Sequence, residues 1–230
     1  SQSTIIFTVH NAKFRNTNPI NLFMIKRIFL YFDWLIFHTS SCKRNFLKYG
    51  LKKIYKNFII THGTLDIASD FLIPSKSDER DLNCLKENIN IFKKKFIYIG
   101  KGTYYKGIDI VLEGWEKFCE FNNDEACLLI IGKLDHKIFT KYNELFQQKN
   151  IILFNKEISN FFLVEAVKLS NFILLPHRFI SFSGIYASFL KFRKPFLYSL
   201  SNQNNMLDYK EFRETGFGFE PNPKSLCDIF

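Results

Sequence analysis

The sequence predicts an α/β protein built on parallel sheets. Short apolar runs rich in β-branched and aromatic residues recur along the chain. Between the later ones lie helix-length stretches with apolar residues at three- and four-residue spacing. Strands alternating with helices form βαβ units, in which consecutive strands run parallel because the helix carries the chain back. A polar, turn-rich interruption splits this pattern into two units.

Taken in order, the first unit offers strands at Thr4–Val9, Trp34–His38 and Phe58–Thr61. From about Asp70 to Lys95 the periodicity fails, and Pro74-Ser75-Lys76-Ser77-Asp78 reads as a turn. Residues 74–92 are therefore expected to be an inter-domain connection between a unit at 1–73 and a second at 93–230. The second unit offers strands at Phe96–Ile99, Cys127–Ile131, Ile151–Phe154, Phe172–Leu175 and Pro195–Ser199, with a weak one at Gly218–Glu220. Its clearest helix is Ile108–Phe121, where Ile108, Val111, Leu112, Trp115 and Phe118 form one apolar stripe. Phe139–Gln148, Ser159–Lys168 and Ile185–Phe192 are further helices, with Ser159 suited to an N-cap. The start is already strand-like and the final residues open a helix that stops, so the chain reads as a fragment of a longer protein.

Composition narrows the function classes. With 47% hydrophobic and 23% charged residues, the chain belongs with folded proteins rather than disordered ones. The 28 Phe residues read as a compositional bias of the source rather than as a base-stacking surface. A net charge of +10, from 32 basic and 22 acidic residues, favours anionic partners. The charge clusters at Lys43, Arg44, Lys48, Lys52, Lys53 and Lys56, and again at Lys93, Lys94 and Lys95. These are solvated helix faces and a strand flank, or else a patch for anionic lipid. None of the five cysteines forms a CxxC pair, so zinc and a redox pair are not indicated. Their scatter fits free thiols in a reducing compartment. The apolar window Ile20–Phe37 carries Lys26, Arg27 and Asp33 and is not a membrane span. No start resembling a signal peptide is present.

The most informative stretch is IYIGKGTYYKGID at 97–109. It sets Lys101 and Lys106 in a loop between a strand and a helix. Backbone N–H groups and the helix dipole favour anions there, and the two ammonium groups add full charge. The alternative is a surface turn rich in Lys and Gly. Further stretches stand at comparable places: His10 ends the first strand in TVHN, and His62-Gly63 follows FIIT. Pro176-His177-Arg178 follows another strand, and Ser183-Gly184 opens a helix.

In this order the chain resembles a retaining glycosyltransferase of the GT-B fold, family 4 type, lacking the family's first strands and final helices. TVHN, DWLIFHTSSCKRNFLKYG and NFIITHGTLD resemble acceptor-domain segments. FIYIGKGTYYKGIDIVLEGWEKF, CLLIIGK and NIILFNKEISNFFLVEAVKLSNFILLPHR resemble the nucleotide-binding domain. The resemblance implies two Rossmann-like domains facing a cleft, with the N-terminal one incomplete. It implies transfer of a sugar from a nucleotide diphosphate sugar to a glycan or lipid-linked acceptor. Lys101 stands where the family has a basic residue, usually Arg, against the donor diphosphate, and Lys106 stands at the family's lysine. Ser183 and Gly184 are further diphosphate candidates, His10 the catalytic candidate, and His62, Gly63, His177 and Arg178 other cleft candidates. No cofactor and no metal are expected, since two cations can stabilise the departing diphosphate.

Each of these also has a structural reading: His10 as a core histidine, His62-Gly63 as a turn, Arg178 as the partner of a carboxylate, Ser183-Gly184 as a helix cap. One departure from the family stands out. Many members carry two glutamates eight positions apart, and the aligned residues here are Ser181 and Phe189. A degenerate or truncated relative acting as a partner subunit is therefore the alternative function. The expected location is cytoplasmic, peripheral at the inner face of the membrane. Charge and aromatic content without a binding module do not make a nucleic-acid partner, and none is expected.

Overall fold

The computed structural model describes residues 4–9, 23–24, 27–48, 56–60, 73–121, 125–178, 184–200, 214 and 216–230. Two parallel sheets organise them. The first has three strands, β1 (Ile6–Val9), β2 (Trp34–Phe37) and β3 (Lys56–Ile59), in that spatial order. Their register sets Phe7 beside Leu35 and Leu35 beside Asn57. Helix α1 (Ser40–Lys48) follows β2, and the Thr39 hydroxyl accepts the Cys42 N–H at 3.0 Å, closing its first turn. Cys42 and Phe46 bury against Val9, Phe29, Leu35 and Phe37. Arg44, Leu47 and Lys48 remain exposed on the same helix.

The second sheet has six strands: β4 (Lys94–Ile99), β5 (Ala126–Ile131), β6 (Ile151–Phe154), β7 (Phe172–Leu175), β8 (Phe196–Ser199) and β9 (Gly216–Phe219). Their spatial order is β6-β5-β4-β7-β8-β9, and every pairing is parallel. That is the doubly wound Rossmann arrangement, with β4 and β7 side by side at the point where the winding reverses. The inner strands β4, β5, β7 and β8 are buried on both faces, as parallel strands between two helical layers must be, whereas the edge strand β9 leaves Phe217 exposed. Ile97, Ile99, Cys127, Leu129, Ile173 and Phe196 face one core. Phe96, Tyr98, Leu128, Ile130, Leu174 and Leu197 face the other.

Helix α2 (Lys76–Ile89) and α5 (Asn160–Leu169) cover the first face. Helix α3 (Ile108–Phe121), α4 (His136–Lys141) and the short α7 (Pro223–Cys227) contribute to the second. The apolar stripe of α3 enters the core as its spacing predicts. Trp115 is 0% exposed and meets Phe96 and Phe230 in edge-on contacts. The expected Phe139–Gln148 helix is instead α4 followed by a single 3-10 turn, Leu145–Gln147. Asp135 starts α4 early by accepting the Lys137 N–H at 3.0 Å. Helix α6 (Gly184–Phe189) likewise runs into a 3-10 turn, Leu190–Phe192, which ends where Arg193 adopts φ 52 ahead of Lys194-Pro195.

Residues 74–92 depart most from expectation. Where the sequence pattern suggested turns they contain the 14-residue helix α2, docked on α5. Its buried stripe is sparse, being Leu82, Leu85 and Ile89 with Phe92 beyond its end, and polar residues fill the rest. The turn signal at 74–78 is an N-cap. Ser75 Oγ accepts the Asp78 N–H at 3.1 Å, and the Asp78 carboxylate accepts the Ser75 N–H at 2.9 Å. Asp78 also accepts the Ser159 hydroxyl, while Ser159 Oγ accepts the Phe162 N–H at 3.1 Å as the N-cap of α5. One carboxylate thus ties together the starts of two helices.

Two substitutions test this docking. Leu85→Ala, at a site with no exposed area, is expected to cost about 2–5 kcal/mol in urea unfolding. Asp78→Ala is expected to cost about 1–2 kcal/mol at neutral pH. Hydrogen bonds from Ser159 and Ser75 hold the Asp78 pKa below its ordinary 3.8. Its contribution is therefore complete above that value and is lost as pH falls through the lower folded pKa. The gap between wild type and variant should shrink in that acid window.

Candidate functional site

Ligands of doubly wound sheets bind beyond the carboxyl ends of the strands where the winding reverses. Here those ends are Ile99 of β4 and Leu175 of β7, joined by a register that pairs Tyr98 with Leu174. The loop after β4 first leans toward β5. Gly100 N–H donates to Ile131 O at 2.9 Å, and Gly102 N–H to Lys133 O at 3.0 Å. Gly132 has φ 126, and a Cβ there would lie 2.4 Å from the Gly100 carbonyl oxygen. The Tyr98 hydroxyl, at 3.2 Å, donates to the Lys101 carbonyl, which fixes the turn from below. The Lys101 side chain is exposed.

The chain then swings back as a 3-10 turn, Tyr104–Lys106, toward the end of β7. Gly107 closes that turn at φ 72, donating to Tyr104 O at 3.1 Å. A Cβ at Gly107 would stand 2.0 Å from the Pro176 carbonyl oxygen, so glycine is required both by the left-handed backbone and by this approach. Helix α3 begins at once, with Asp109 in its first turn.

Arg178 joins the two loops. Its guanidinium forms a fork with Asp109, Nη1 to Oδ1 and Nη2 to Oδ2, both 2.7 Å. Nη1 also donates to Tyr104 O at 2.6 Å, and the guanidinium carbon lies 3.7 Å from the Tyr104 ring centre. The Arg178 N–H donates to Tyr105 O at 3.2 Å. The ion pair is largely withdrawn from solvent, with side-chain exposures of 20% and 12%. Asp109 and Tyr104 were not singled out from sequence. An acid in a helix's first turn reads as a response to the helix dipole, and only the β4–β7 adjacency sets Arg178 beside it.

Lys106 and His177 make the electrostatics of the site unusual. Lys106 is half-buried, and desolvation lowers its pKa. Among the described residues it forms no salt bridge. His177 is 5% exposed, and its pKa is lowered to about 4, first by burial and then by the Lys106 charge. The loops therefore bring Lys106, His177 and Arg178 to the carboxyl ends of β4 and β7, where doubly wound sheets form their ligand crevice, and Lys101 lies exposed in the same β4 loop. Gly184 opens α6 and is exposed. His10, His62, Gly63, Ser181 and Ser183 lie outside the described residues. Phe189 is 2% exposed and part of the core, 6.0 Å from the Phe192 ring. Among the described residues, no three His, Cys, Asp or Glu side chains are grouped to hold a metal ion.

Two parallel α/β units, the second with Rossmann strand order, give the chain the GT-B glycosyltransferase fold. Solved structures share it. The Anabaena protein HepE, in complex with UDP and glucose, is similar over 98% of this chain and 60% of its own, with a TM-score of 0.74 and 12% identity. A sucrose-phosphate synthase from Thermosynechococcus elongatus is similar over 97% of this chain and 56% of its own, with a TM-score of 0.70 and 16% identity. An α,α-trehalose-phosphate synthase (UDP-forming) from Burkholderia vietnamiensis is similar over 99% of this chain and 60% of its own, with a TM-score of 0.70 and 11% identity. The chain thus spans no more than about 60% of the length of these structures. No protein-family model matches the sequence, and no curated protein does.

The His177 environment predicts a pH response. The unfolded chain protonates this residue near 6.5, whereas the folded protein holds it neutral down to about 4. The stability that this preference contributes is complete above pH 6.5 and is lost as pH falls toward 4. Unfolding free energy should drop by about 2 kcal/mol between pH 7 and 5. In His177→Asn, urea titrations at the two pH values should show most of that slope gone.

Proposed function

We propose that this chain binds a nucleotide diphosphate sugar at the β4–β7 crevice and serves in transferring its sugar to a glycan or lipid-linked acceptor. The observation that carries this is Lys106: a half-buried ammonium without an ion-pair partner among the described residues, at the ligand edge of a Rossmann sheet in a GT-B fold. Removing a cation from water costs free energy that an incoming anion restores. Three of the structures similar to this chain are HepE complexes with UDP and glucose, UDP, or UDP-glucose, which supports a nucleotide diphosphate as that anion.

In this reading Lys106 holds the diphosphate from the β4 side, and Lys101 meets it at the rim. A diphosphate leaving group gains negative charge as the glycosidic bond breaks, and fixed cations stabilise that charge most in the transition state. Lys at 101, where Arg is usual, gives up the bidentate fork but keeps the charge. Ser183 and the N–H groups after Gly184 are proposed to bind the diphosphate from the other side. His10, with His62 and Gly63, is assigned to the acceptor-side unit. Retention of configuration rests on the family 4 resemblance, and donor chemistry without a metal or other cofactor on the two lysines. The exposed Arg44 and Lys48 of α1, with neighbouring basic residues, support a peripheral site on an anionic membrane at its cytoplasmic face. No described helix is long and apolar enough to cross a membrane.

A specific observation favours the second reading, a non-catalytic relative acting as a partner subunit. Phe189 occupies a position where many family 4 enzymes carry a glutamate, and here that side chain is built into the core. A ribose-binding carboxylate at 189 would be buried without a partner.

Calorimetric titration with UDP, GDP and their sugars tests the binding. One nucleoside diphosphate is expected to bind, and Lys106→Ala is expected to weaken it about 10- to 100-fold, the range of a charge-assisted hydrogen bond. No binding by any of them sinks the proposal. Binding without release of nucleoside diphosphate from any donor–acceptor pair supports the non-catalytic reading.

A further inference from the structure

We propose that Arg178 and Asp109 are positioning residues: together they form a latch between the β4 and β7 loops that holds the Lys106 ammonium where an anion can meet it. This rests on the proposal that the β4–β7 crevice binds a nucleoside diphosphate.

The contacts bracket Lys106 on both sides. Before it in the chain, Arg178 binds the Tyr104 carbonyl, covers the Tyr104 ring and donates its own N–H to the Tyr105 carbonyl. After it, Arg178 grips Asp109 with both Nη atoms. Gly107 is pressed against the Pro176 carbonyl between these two grips. Among the described residues, Lys106 itself is held through its backbone N–H, which donates to Thr103 O at 3.0 Å. A single 3-10 turn has poor hydrogen-bond geometry and little intrinsic stability. Holding a half-buried ammonium in such a turn requires an external restraint, and the latch supplies one.

The same pairing keeps Arg178 from acting as a donor-binding cation. Its donors go to Asp109 and Tyr104, in a geometry that a planar fork fills and an ammonium does not. The crevice therefore contains two cations with different tasks. Arg178 is neutralised by Asp109, while the half-buried Lys106 forms no ion pair among the described residues. Such a division keeps net positive charge at the ligand edge without two adjacent cations repelling each other unscreened.

A double-mutant cycle on UDP affinity tests the proposal. Asp109→Asn breaks the fork but keeps the side chain's shape, and is expected to raise the UDP Kd about tenfold in the wild-type background. In a Lys106→Ala background the same change should shift the Kd by less than about twofold, because the residue that the latch positions is gone. Hydrogen exchange of the unliganded protein should quicken at 104–108 and stay unchanged in β5 and β6. Arg178→Lys retains a charge to pair with Asp109 and supplies the same cycle if Asp109→Asn does not fold. Equal losses in both backgrounds overturn the positioning role, as does an unchanged Kd in the wild-type background. Failure of the wild-type protein to bind UDP or any other nucleoside diphosphate removes the binding reading, and this proposal with it. A latch that fails while wild-type binding and the Lys106 effect hold leaves the binding reading intact.

Discussion

The direct pairing of β4 with β7 governs much of what this protein presents to its surroundings. Chain segments about 75 residues apart are held at hydrogen-bonding distance by the register Phe96–Phe172, Ile97–Ile173 and Tyr98–Leu174. Those strands are fully paired on both sides and buried on both faces, so their carboxyl ends are fixed relative to each other. The loops that leave them need only short reach to meet. The Gly107 approach to Pro176 and the Arg178 grip on Asp109 both follow from this adjacency.

Charge at the crevice is arranged by burial as much as by sequence. Three basic side chains, Lys106, His177 and Arg178, come close together, which by itself is unfavourable. The conflict is resolved in three ways. Arg178 takes a bidentate carboxylate, His177 gives up its proton at neutral pH, and Lys106 keeps its charge with its pKa lowered. Of these three, Lys106 is the one whose desolvation is uncompensated by an ion pair among the described residues. An uncompensated cation of this kind is what the proposed anion site rests on, and it is built from ordinary packing.

The core carries the corresponding constraint on chemistry. Phe189 belongs to the same cluster as Leu85, Phe162 and Phe196, so the end of α6 is anchored by apolar packing where a carboxylate would have required a partner. The chain keeps cations at the loops after β4 and β7, the proposed diphosphate side, while lacking an ionisable group at position 189. Binding and turnover are thereby separable properties, with the first better supported by the side chains present.

The sequence by itself determined the strands and most helices of the second unit. Ile151–Phe154, Phe172–Leu175 and Ile108–Phe121 lie where their apolar patterns put them, because local periodicity and burial agree there. It also marked the loop holding Lys101 and Lys106, through a strand, a glycine and a helix in succession. Helix α2 was not legible, since three buried residues among polar ones give a weak stripe and its cap resembles a turn. The identity of the Arg178 partner was not legible either. Asp109 and Arg178 stand 69 residues apart, and neither periodicity nor spacing links residues at that separation. Only the order in which parallel strands assemble decides that these two side chains meet, because strand order is a property of the packed sheet and not of any segment within it.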